Sequence, residues 1–305
     1  MNFKLTILGS SGALPAYDRH PSAQLLEIDN KPYLVDCGEG TQVQIKKYYG
    51  SILKIDHVFI SHLHGDHYLG LMGFIFSMHL FKREKALHIY APKGLDELIT
   101  LQLRLANSVT AFDLVFHELN TTQAETIFET DKLIVRSFPV LHKIPTLGFL
   151  FHEKPKERII DKDRLPPSLK FQQINALKKG EDIVDEAGNI LFKNEALTLP
   201  PKKSRSYAYM ADTRYSESLK QYVQGVDMLY HEATFMEPEK DKAEQTMHST
   251  ATEAATFAQQ AAAAQLIIGH FSARYKSLEP LLNEARSVFS NTALAIEGKT
   301  FELEA

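Results

Sequence analysis

Hydrophobic and polar positions follow one another in two rhythms along the chain, and together they predict a mixed α/β protein. Short apolar runs bounded by Gly, Pro or Asn predict strands, and longer runs with apolar residues every three or four positions predict helices. Before residue 153, the predicted strands are 3–8, 22–28, 31–36, 55–60, 86–90, 111–117, 133–138 and 147–152, and the predicted helices are 40–48, 69–81 and 94–106. After residue 203, the predicted strands are 206–211, 226–231 and 265–269, and the predicted helices are 216–223, 249–263 and 276–288.

Residues 153–203 interrupt this alternation. Lys, Glu and Asp dominate the segment, Pro166–Pro167 and Pro200–Pro201 punctuate it, and its apolar periodicity is weak. We interpret it as an inserted arm within a single domain that covers residues 1–305. The halves on either side predict two sheets flanked by helices, which is a four-layer α/β/β/α sandwich.

Composition narrows the class of protein. The chain has 305 residues, of which 44% are hydrophobic and 24% are charged, so disordered, collagen-like and coiled-coil proteins are excluded. The 38 acidic and 34 basic residues give a net charge of -4, so nucleic acid would have to find a local basic patch. The single cysteine, Cys37, excludes an intramolecular disulfide and thiolate-rich metal sites, and we interpret it as a packing residue.

Targeting signals are not expected in this chain. No apolar run approaches the roughly 18 residues of a membrane span, and the first eleven residues have no small-residue cleavage site of a signal peptide. We therefore expect a cytoplasmic protein that does not associate with a membrane.

The strongest chemical signal is the segment His62-Leu63-His64-Gly65-Asp66-His67, which directly follows the apolar strand 55–60. Two histidines two positions apart in an extended segment face the same side, and Gly65 permits a sharp turn that returns Asp66 and His67 to the same cavity. Three imidazoles and one carboxylate suit a divalent ion such as zinc. Four donor residues exceed what one site with an open position needs, which favours two metals.

Further donor residues follow other predicted strands. They are His142, Asp212, the pair His231–Glu232, and His270. Taken singly, each has a simpler interpretation as an exposed residue, a helix cap or a turn residue. Together they could supply the ligands that a dinuclear site still lacks.

At this point the sequence resembles the metallo-β-lactamase superfamily and, within it, the ribonuclease Z family of tRNA 3′-processing endonucleases. The resemblance covers nearly the whole chain. It is carried by L-G-S-S-G at 8–12, V-D-C-G-E-G-T-Q at 35–42, H-L-H-G-D-H at 62–67, the histidine at 142, D-T at 212–213, H-E-A-T at 231–234, H-S-T at 248–250 and G-H-F-S-A-R-Y at 269–275. The last three motifs are the more specific ones, because many hydrolases share the loop at 62–67.

The resemblance implies two zinc ions per subunit and a set of ligands for each. One zinc would be held by His62, His64 and His142, the other by Asp66, His67 and His270, and Asp212 would bridge them. Lactamases with a Cys ligand place it where Asp212 stands, so this Asp favours phosphodiester chemistry.

The resemblance also implies catalytic roles. Asp66 would accept a proton from the attacking water, and His248, positioned by Glu232, would protonate the leaving group. Without the resemblance, Glu232 and His248 could equally well be helix caps, since Ser249 and Thr250 precede an Ala-rich helix. His231 is interpreted as structural, and His20, His57, His79, His88, His117 and His152 lie outside any cluster in the sequence.

The expected substrate is precursor tRNA, from which a zinc-dependent endoribonuclease would remove the 3′ trailer and leave a 3′-hydroxyl. The arm would grip the tRNA and the protein would be a homodimer. A-L-K-K-G-E at 176–181 resembles the distal part of the family's arm, but 165–168 (L-P-P-S) stands where a Gly-Pro signature is usual. The residues predicted to contact phosphates are Lys202, Lys203, Arg205 and Arg274.

Four other functions are compatible with parts of this pattern. The nearest is a general zinc phosphodiesterase that acts on small or cyclic phosphodiesters. Thioester or lactone hydrolases share the loop at 62–67 but should lack H-E-A-T and H-S-T, and a non-catalytic RNA-binding scaffold would not need a proton donor. The histidine at position 64 argues against the diiron relatives, which carry Glu there.

Overall fold

The computed structural model describes residues 2–304. Its strands are β1 (Phe3–Gly9), β2 (Ala23–Ile28), β3 (Lys31–Cys37), β4 (His57–Phe59), β5 (Leu87–Ala91), β6 (Leu114–Glu118), β7 (Glu125–Glu129), β8 (Leu133–Pro139), β9 (Leu147–Glu153), β10 (Ile159–Ile160), β11 (Ile183–Val184), β12 (Ile190–Phe192), β13 (Thr198–Leu199), β14 (Ser206–Met210), β15 (Met228–Glu232), β16 (Gln265–Gly269), β17 (Thr292–Leu294) and β18 (Thr300–Glu302). Its helices are α1 (Thr41–Tyr48), α2 (Gly65–Tyr68), α3 (Leu71–Leu80), α4 (Leu95–Leu105), α5 (Phe171–Lys179), α6 (Asn194–Leu197), α7 (Lys220–Val223), α8 (Lys240–Thr246), α9 (Ala251–Gln260) and α10 (Glu279–Val288).

Two seven-stranded sheets form the centre of the part of the chain that is described. The first has the order β18-β1-β2-β3-β4-β5-β6, and the second has the order β17-β16-β15-β14-β9-β8-β7. Strands β3 to β6 run parallel, as do β14 to β17. Parallel strands collect their carboxyl ends at one edge of a sheet, where α/β proteins place their sites.

Helices cover the outer face of each sheet. On the first sheet, Phe74 and Ile99 of α3 and α4 are buried in one cluster with Val58. On the second sheet, Phe257 of α9 is buried with Ile268. Aromatic side chains fill the space between the sheets: for example, the ring of Phe59 lies 5.7 Å from that of Phe149 and 5.3 Å from that of Phe151. The predicted α/β/β/α sandwich is thus confirmed, and buried Cys37 packs within the first cluster.

Contacts divide the chain into two compact units. The larger one contains both sheets, and the smaller one, here called the inserted unit, consists of residues 129–134 and 152–205. The inserted unit has a small core of its own, formed by Leu177 of α5, Ile183 and Leu197. Helix α5 ends at Gly180, whose positive φ of 92° closes the helix in a left-handed conformation that glycine adopts without strain.

Some local features differ from the sequence-based expectations. The short strands β7, β17 and β18 and the polar helix α8 were not predicted, and the helix expected at 216–223 is a single turn, 217–219, followed by α7. His57, His88 and His117 are not isolated: their rings stack in a row, with centroids 5.1 Å and 5.3 Å apart. None of the helices formed by residues 2–304 combines the length and hydropathy that a membrane crossing requires.

Candidate metal centre

All seven residues predicted as metal ligands come together in the larger unit. They form two groups that share Asp212, and the ligand atoms within each group lie within 4.8 Å of one another. The first group consists of His62, His64, His142 and Asp212, and the second of Asp66, His67, Asp212 and His270. The strand ends supply them: β4 precedes His62, β14 precedes Asp212, and β16 precedes His270.

In the first group the imidazole nitrogens face one another. His64 Nδ1 lies 3.1 Å from His62 Nε2 and 3.2 Å from His142 Nε2, while Asp212 Oδ2 is 3.5 Å from His62 Nε2. Tetrahedral zinc with bonds of about 2.0–2.1 Å separates neighbouring nitrogens by about 3.3 Å. These residues therefore have the spacing of ligands around one ion.

Hydrogen bonds on the far side of the ring fix the orientation of His62 and His142. His142 donates Nδ1–H to the carbonyl oxygen of Met247 at 2.9 Å, and His62 Nδ1 lies 3.0 Å from the hydroxyl of Ser61. Met247 follows α8 and has φ of 61°, a strained conformation for this residue. With Nδ1 protonated, Nε2 presents a lone pair to the metal, as ligating histidines require.

The second group contains two carboxylates and two imidazoles. His270 Nε2 lies 3.2 Å from both Asp66 Oδ2 and Asp212 Oδ1, and His67 Nε2 lies 3.4 Å from Asp212 Oδ1. Both His67 Nε2 and Asp212 Oδ1 are buried and make no hydrogen bond to any of residues 2–304. Buried polar atoms rarely lack a partner, so two that face each other within a donor set fit a metal ion.

Electrostatics separate the two groups. Burial lowers the pKa of His62 to about 4 and also lowers the pKa of His64 and His142, so these rings are neutral and able to bind metal. Burial alone would raise the pKa of Asp66 and Asp212, but neighbouring histidines, chiefly His67 and His270, lower both below the usual range. Burial lowers the pKa of His67, but Asp212, Asp66 and Asp36 outweigh it and raise that pKa well above its usual value, so the ionised carboxylates of the second group face a cationic ring.

Asp36 is a functional residue that sequence reasoning missed. Its carboxylate accepts hydrogen bonds from His67 Nδ1 at 2.7 Å, from the amide and hydroxyl of Ser61, and from Tyr209 at 2.6 Å. It therefore holds His67 with Nε2 toward the metal and fixes Ser61 beside His62. Its motif at 35–42 was noted, but only the folded chain brings Tyr209 and His67 to it.

The turn at residues 8–12 also supports the second group. A Cβ atom on Gly12 would lie 2.8 Å from Cε1 of His270, so any other residue at position 12 would clash with the imidazole ring. The amide of Ala13 donates to Asp66 Oδ2 at 2.7 Å. The motif L-G-S-S-G thus has a physical role that the sequence did not reveal.

Glu232 connects His248 to the second group. Its carboxylate accepts from His248 Nδ1 at 2.7 Å and from the hydroxyl of Thr234 at 2.6 Å, and that hydroxyl accepts from His270 Nδ1 at 2.8 Å. Burial lowers the pKa of His248, but Glu232 outweighs it and raises the pKa to about 9. The alternative of a helix cap is not realised, because Thr250 caps α9.

The residues predicted to contact phosphates have different surroundings. The prediction that Arg205 contacts a phosphate is wrong, because this side chain is buried within the inserted unit and bound to Glu153. Arg274 is exposed but paired with Glu239 at 2.7 Å, and Lys202 and Lys203 are exposed. Lys143, which sequence reasoning missed although it follows a ligand, lines the cavity of the metal centre.

That cavity, here called the metal cavity, has a volume of about 560 Å³. Asp66, Asp212, His248 and His270 all line it, together with exposed Lys143. Candidate metal ligands, a protonated imidazole and a lysine therefore share one solvent-accessible space. This combination suits the hydrolysis of an anionic ester.

Comparisons with known proteins agree with this chemistry. A family model described as "Anti-Pycsar protein Apyc1" matches residues 3–162. Ribonuclease Z of Cytophaga hutchinsonii is 45% identical over 301 residues, which cover 99% of this chain and 96% of that protein. The crystal structure of human tRNase Z, short form, superposes with a TM-score of 0.73 at 26% identity and 98% coverage of both chains. The metallo-β-lactamase fold protein YhfI of Bacillus subtilis matches the fold with a TM-score of 0.70, at 19% identity and with 99% and 100% coverage.

Proposed function

The chain belongs to the ribonuclease Z family, and we propose that it is a metal-dependent endoribonuclease that removes the 3′ trailer from precursor tRNA. The tRNA product carries a 3′-hydroxyl and the trailer carries the phosphate. The observation that carries the proposal is the convergence of seven donor residues in two groups, beside a His248–Glu232 pair.

The cofactor in this proposal is two zinc ions per subunit. His62, His64 and His142 would hold one ion, Asp66, His67 and His270 would hold the other, and Asp212 would be a ligand of both. The neutral imidazoles of the first group support this assignment, as do the facing atoms His67 Nε2 and Asp212 Oδ1, which lack a hydrogen bond within the described chain. When bound, the ions lower the pKa of water and neutralise charge on the phosphoryl oxygens.

The residues of the chain supply orientation and proton transfer. Asp66 accepts a proton from the attacking water, and its Oδ2 is held in place by the amide of Ala13. Lys143, exposed at the metal cavity and without an ion pair among residues 2–304, attracts the phosphate.

His248 protonates the 3′ oxygen that leaves with the tRNA. Because Glu232 raises its pKa to about 9, the imidazole is protonated at neutral pH and can donate. The same hydrogen bond engages Nδ1, so Nε2 is the nitrogen left to carry the transferred proton.

The inserted arm, residues 153–203, binds the body of the tRNA in this proposal. Support comes from its lysines that have no ion pair with another described residue, namely Lys162, Lys170, Lys178, Lys179, Lys193 and Lys202. Phe171, which is 75% exposed at the start of α5, adds a ring on which a base or sugar can pack.

A cytoplasmic homodimer completes the proposal. Helix α4 exposes Leu98, Leu101 and Leu105, which are 43%, 42% and 77% accessible and lie on one face at helical spacing. A second copy of the chain could cover this face. Light scattering of the purified protein should give the mass of a dimer; a monomeric mass would contradict this part.

The test of the function is a comparison of two substrates on one zinc-loaded preparation. Precursor tRNA with a trailer should be cleaved once, directly 3′ of the tRNA, and bis(p-nitrophenyl) phosphate should be hydrolysed more slowly. The relatives do not favour the alternative of a general phosphodiesterase. Hydrolysis of the small diester without cleavage of precursor tRNA would overturn our proposal in favour of that alternative.

A further inference from the structure

A second cavity lies beside the metal cavity, and no step described above uses it. It has a volume of about 830 Å³, and His64 lines both cavities. Pockets for ligands of roughly nucleotide size measure about 300–1,000 Å³. Because one ligand residue borders both spaces, a substrate held at the metal centre can extend into this second cavity, here called the side pocket.

The side pocket is formed at the carboxyl ends of parallel strands β4, β5 and β6. Hydrogen bonds fix its outer loop: the side-chain oxygen of Asn120 accepts from the amides of Thr122 and Gln123, and the amide of Asn120 donates to Glu125 at 2.9 Å. The walls are therefore largely formed before a ligand arrives.

The lining complements three parts of a nucleotide: the faces of the base, the edge of the base and the phosphate. Leu63, Pro92 and Pro145 present apolar surface, which suits the faces of a base. Glu125 presents a carboxylate that can accept from the amino group at a base edge. Lys93 is exposed, has no ion pair with another residue of the described chain, and can bind a phosphate.

The polarity of cleavage determines whether the nucleotide 5′ or the nucleotide 3′ of the scissile phosphate enters the side pocket. His248 donates its proton to the oxygen that stays on the tRNA, so the last tRNA nucleotide lies toward His248. His248 lines the metal cavity and is absent from the lining of the side pocket, which meets the metal centre at His64. The side pocket is thus available to the nucleotide on the other side of the scissile phosphate.

We propose that the side pocket binds the first nucleotide of the 3′ trailer. The phosphate that follows this nucleotide contacts Lys93, and the base lies among Leu63, Pro92 and Pro145. This inference rests on the proposed function, because it takes the polarity of cleavage from it.

The test uses the 5′-phosphorylated dinucleotide pUpU, which mimics the start of the released trailer. It should inhibit the hydrolysis of bis(p-nitrophenyl) phosphate by the wild-type zinc enzyme competitively. Lys93→Ala removes the phosphate contact, and Thr121→Trp fills the pocket from its rim, so each should raise the inhibition constant about tenfold. Lys54→Ala is the matched control, because Lys54 is exposed, outside both cavities and without an ion pair among residues 2–304.

Two results would overturn the inference: pUpU fails to inhibit the wild type, or Lys93→Ala and Thr121→Trp change the inhibition constant no more than Lys54→Ala. A thermal unfolding curve for each variant shows whether Thr121→Trp folds; Lys93→Ala, at an exposed position, carries the test if it does not. Precursor tRNA cleavage separates the two proposals. An enzyme that does not cleave precursor tRNA contradicts the proposed function, whereas normal cleavage with unchanged KM in both pocket variants contradicts only the side pocket.

Discussion

The metal centre and the inserted unit use charged residues in opposite ways. In the metal centre the charged and titratable side chains are mostly buried, and those of His67, His142 and His270 have a hydrogen-bond partner on the side away from the metal. In the inserted unit most lysines and carboxylates are exposed, and several lysines have no ion pair within the described chain. The exception is Glu153, which is buried with Arg205.

This difference indicates different sensitivities to substitution. Buried donors in fixed positions act as a unit, so the loss of one affects the others and the chemistry. The many exposed charges of the inserted unit act additively and through solvent, so the loss of one of them changes tRNA binding little and chemistry not at all. Substitutions in the metal centre should therefore affect every substrate, and substitutions in the inserted unit should affect only the large one.

The largest effect is expected from Asp212→Ala, because Asp212 belongs to both ligand groups. The variant should lose metal and reduce turnover of precursor tRNA and of bis(p-nitrophenyl) phosphate about 10⁴-fold or more, as removal of a central group does in other hydrolases. Metal analysis and both assays measure this. Asp241→Ala, at an exposed position of α8, is the control and should match the wild type. If Asp212→Ala retained two metals per chain, Asp212 would not be a ligand that both metal groups need.

The next effect concerns proton donation without metal loss. His248→Ala should lower turnover of precursor tRNA about 10²–10⁴-fold, the usual contribution of a general acid, while two metals per chain remain bound. The dependence of turnover on pH follows from the pKa of His248. This residue donates only while protonated, and its raised pKa keeps it protonated up to about pH 9. Wild-type turnover should thus fall as the pH rises through that value.

Glu232→Gln provides the matched variant for the pH profile. Without the carboxylate, the pKa of His248 moves back toward its ordinary value, so the alkaline fall in turnover should move to lower pH. If turnover fell at the same alkaline pH in the wild type and in Glu232→Gln, another group would be the proton donor.

The convergence of the seven donor residues could be predicted from sequence because residue type and position after a strand carry the information. His62, His64, Asp66 and His67 lie within one loop, so their proximity is local. The supporting contacts could not be predicted in the same way. Asp36 holds His67 and meets Tyr209 across 173 positions, and Gly12 makes room for His270, which are contacts that exist only after the sheets have packed.

An intermediate effect is expected from shortening the inserted unit. Ile160 pairs with Thr198, so residues 161–197 can be replaced by a two-residue Asn-Gly turn that joins paired strands. Cleavage of precursor tRNA should fall about 100-fold in kcat/KM as phosphate contacts are lost, while turnover of the small diester stays at the wild-type level. An equal loss on both substrates would mean that the segment supports the fold.

The interior of the inserted unit is harder to predict than its change of composition. Charge and proline mark residues 153–203, whereas the inserted unit consists of residues 129–134 and 152–205. Helix α5 is not predicted from the sequence, because only Ile174 and Leu177, three positions apart, mark its apolar face. Ile183 and Leu197, which complete the small core, lie outside this helix. Arg205 was misjudged for a related reason: its partner Glu153 lies 52 positions away.

The smallest effect on catalysis is expected from Glu153→Gln, which should act on stability alone. Burial raises the pKa of Glu153, but Arg205 and Lys156 outweigh it and lower the pKa to about 2. A carboxylate with a lowered pKa stabilises the fold above its ordinary pKa, and this stabilisation is lost as the pH falls toward 2.

Removing the buried charge of Glu153 from its pair with Arg205 should lower the free energy of unfolding by about 3–5 kcal/mol near neutral pH. The deficit of Glu153→Gln relative to wild type should shrink as the pH falls from about 4.5 toward 2, because the wild type then loses the same charge. Denaturant titrations at several pH values measure this. Glu129→Gln is the matched control: Glu129 is exposed, and its pair with half-buried Lys154 should contribute only about 0–1 kcal/mol. Equal losses in the two variants, or a Glu153→Gln deficit that does not change with pH, would show that burial does not distinguish these two ion pairs.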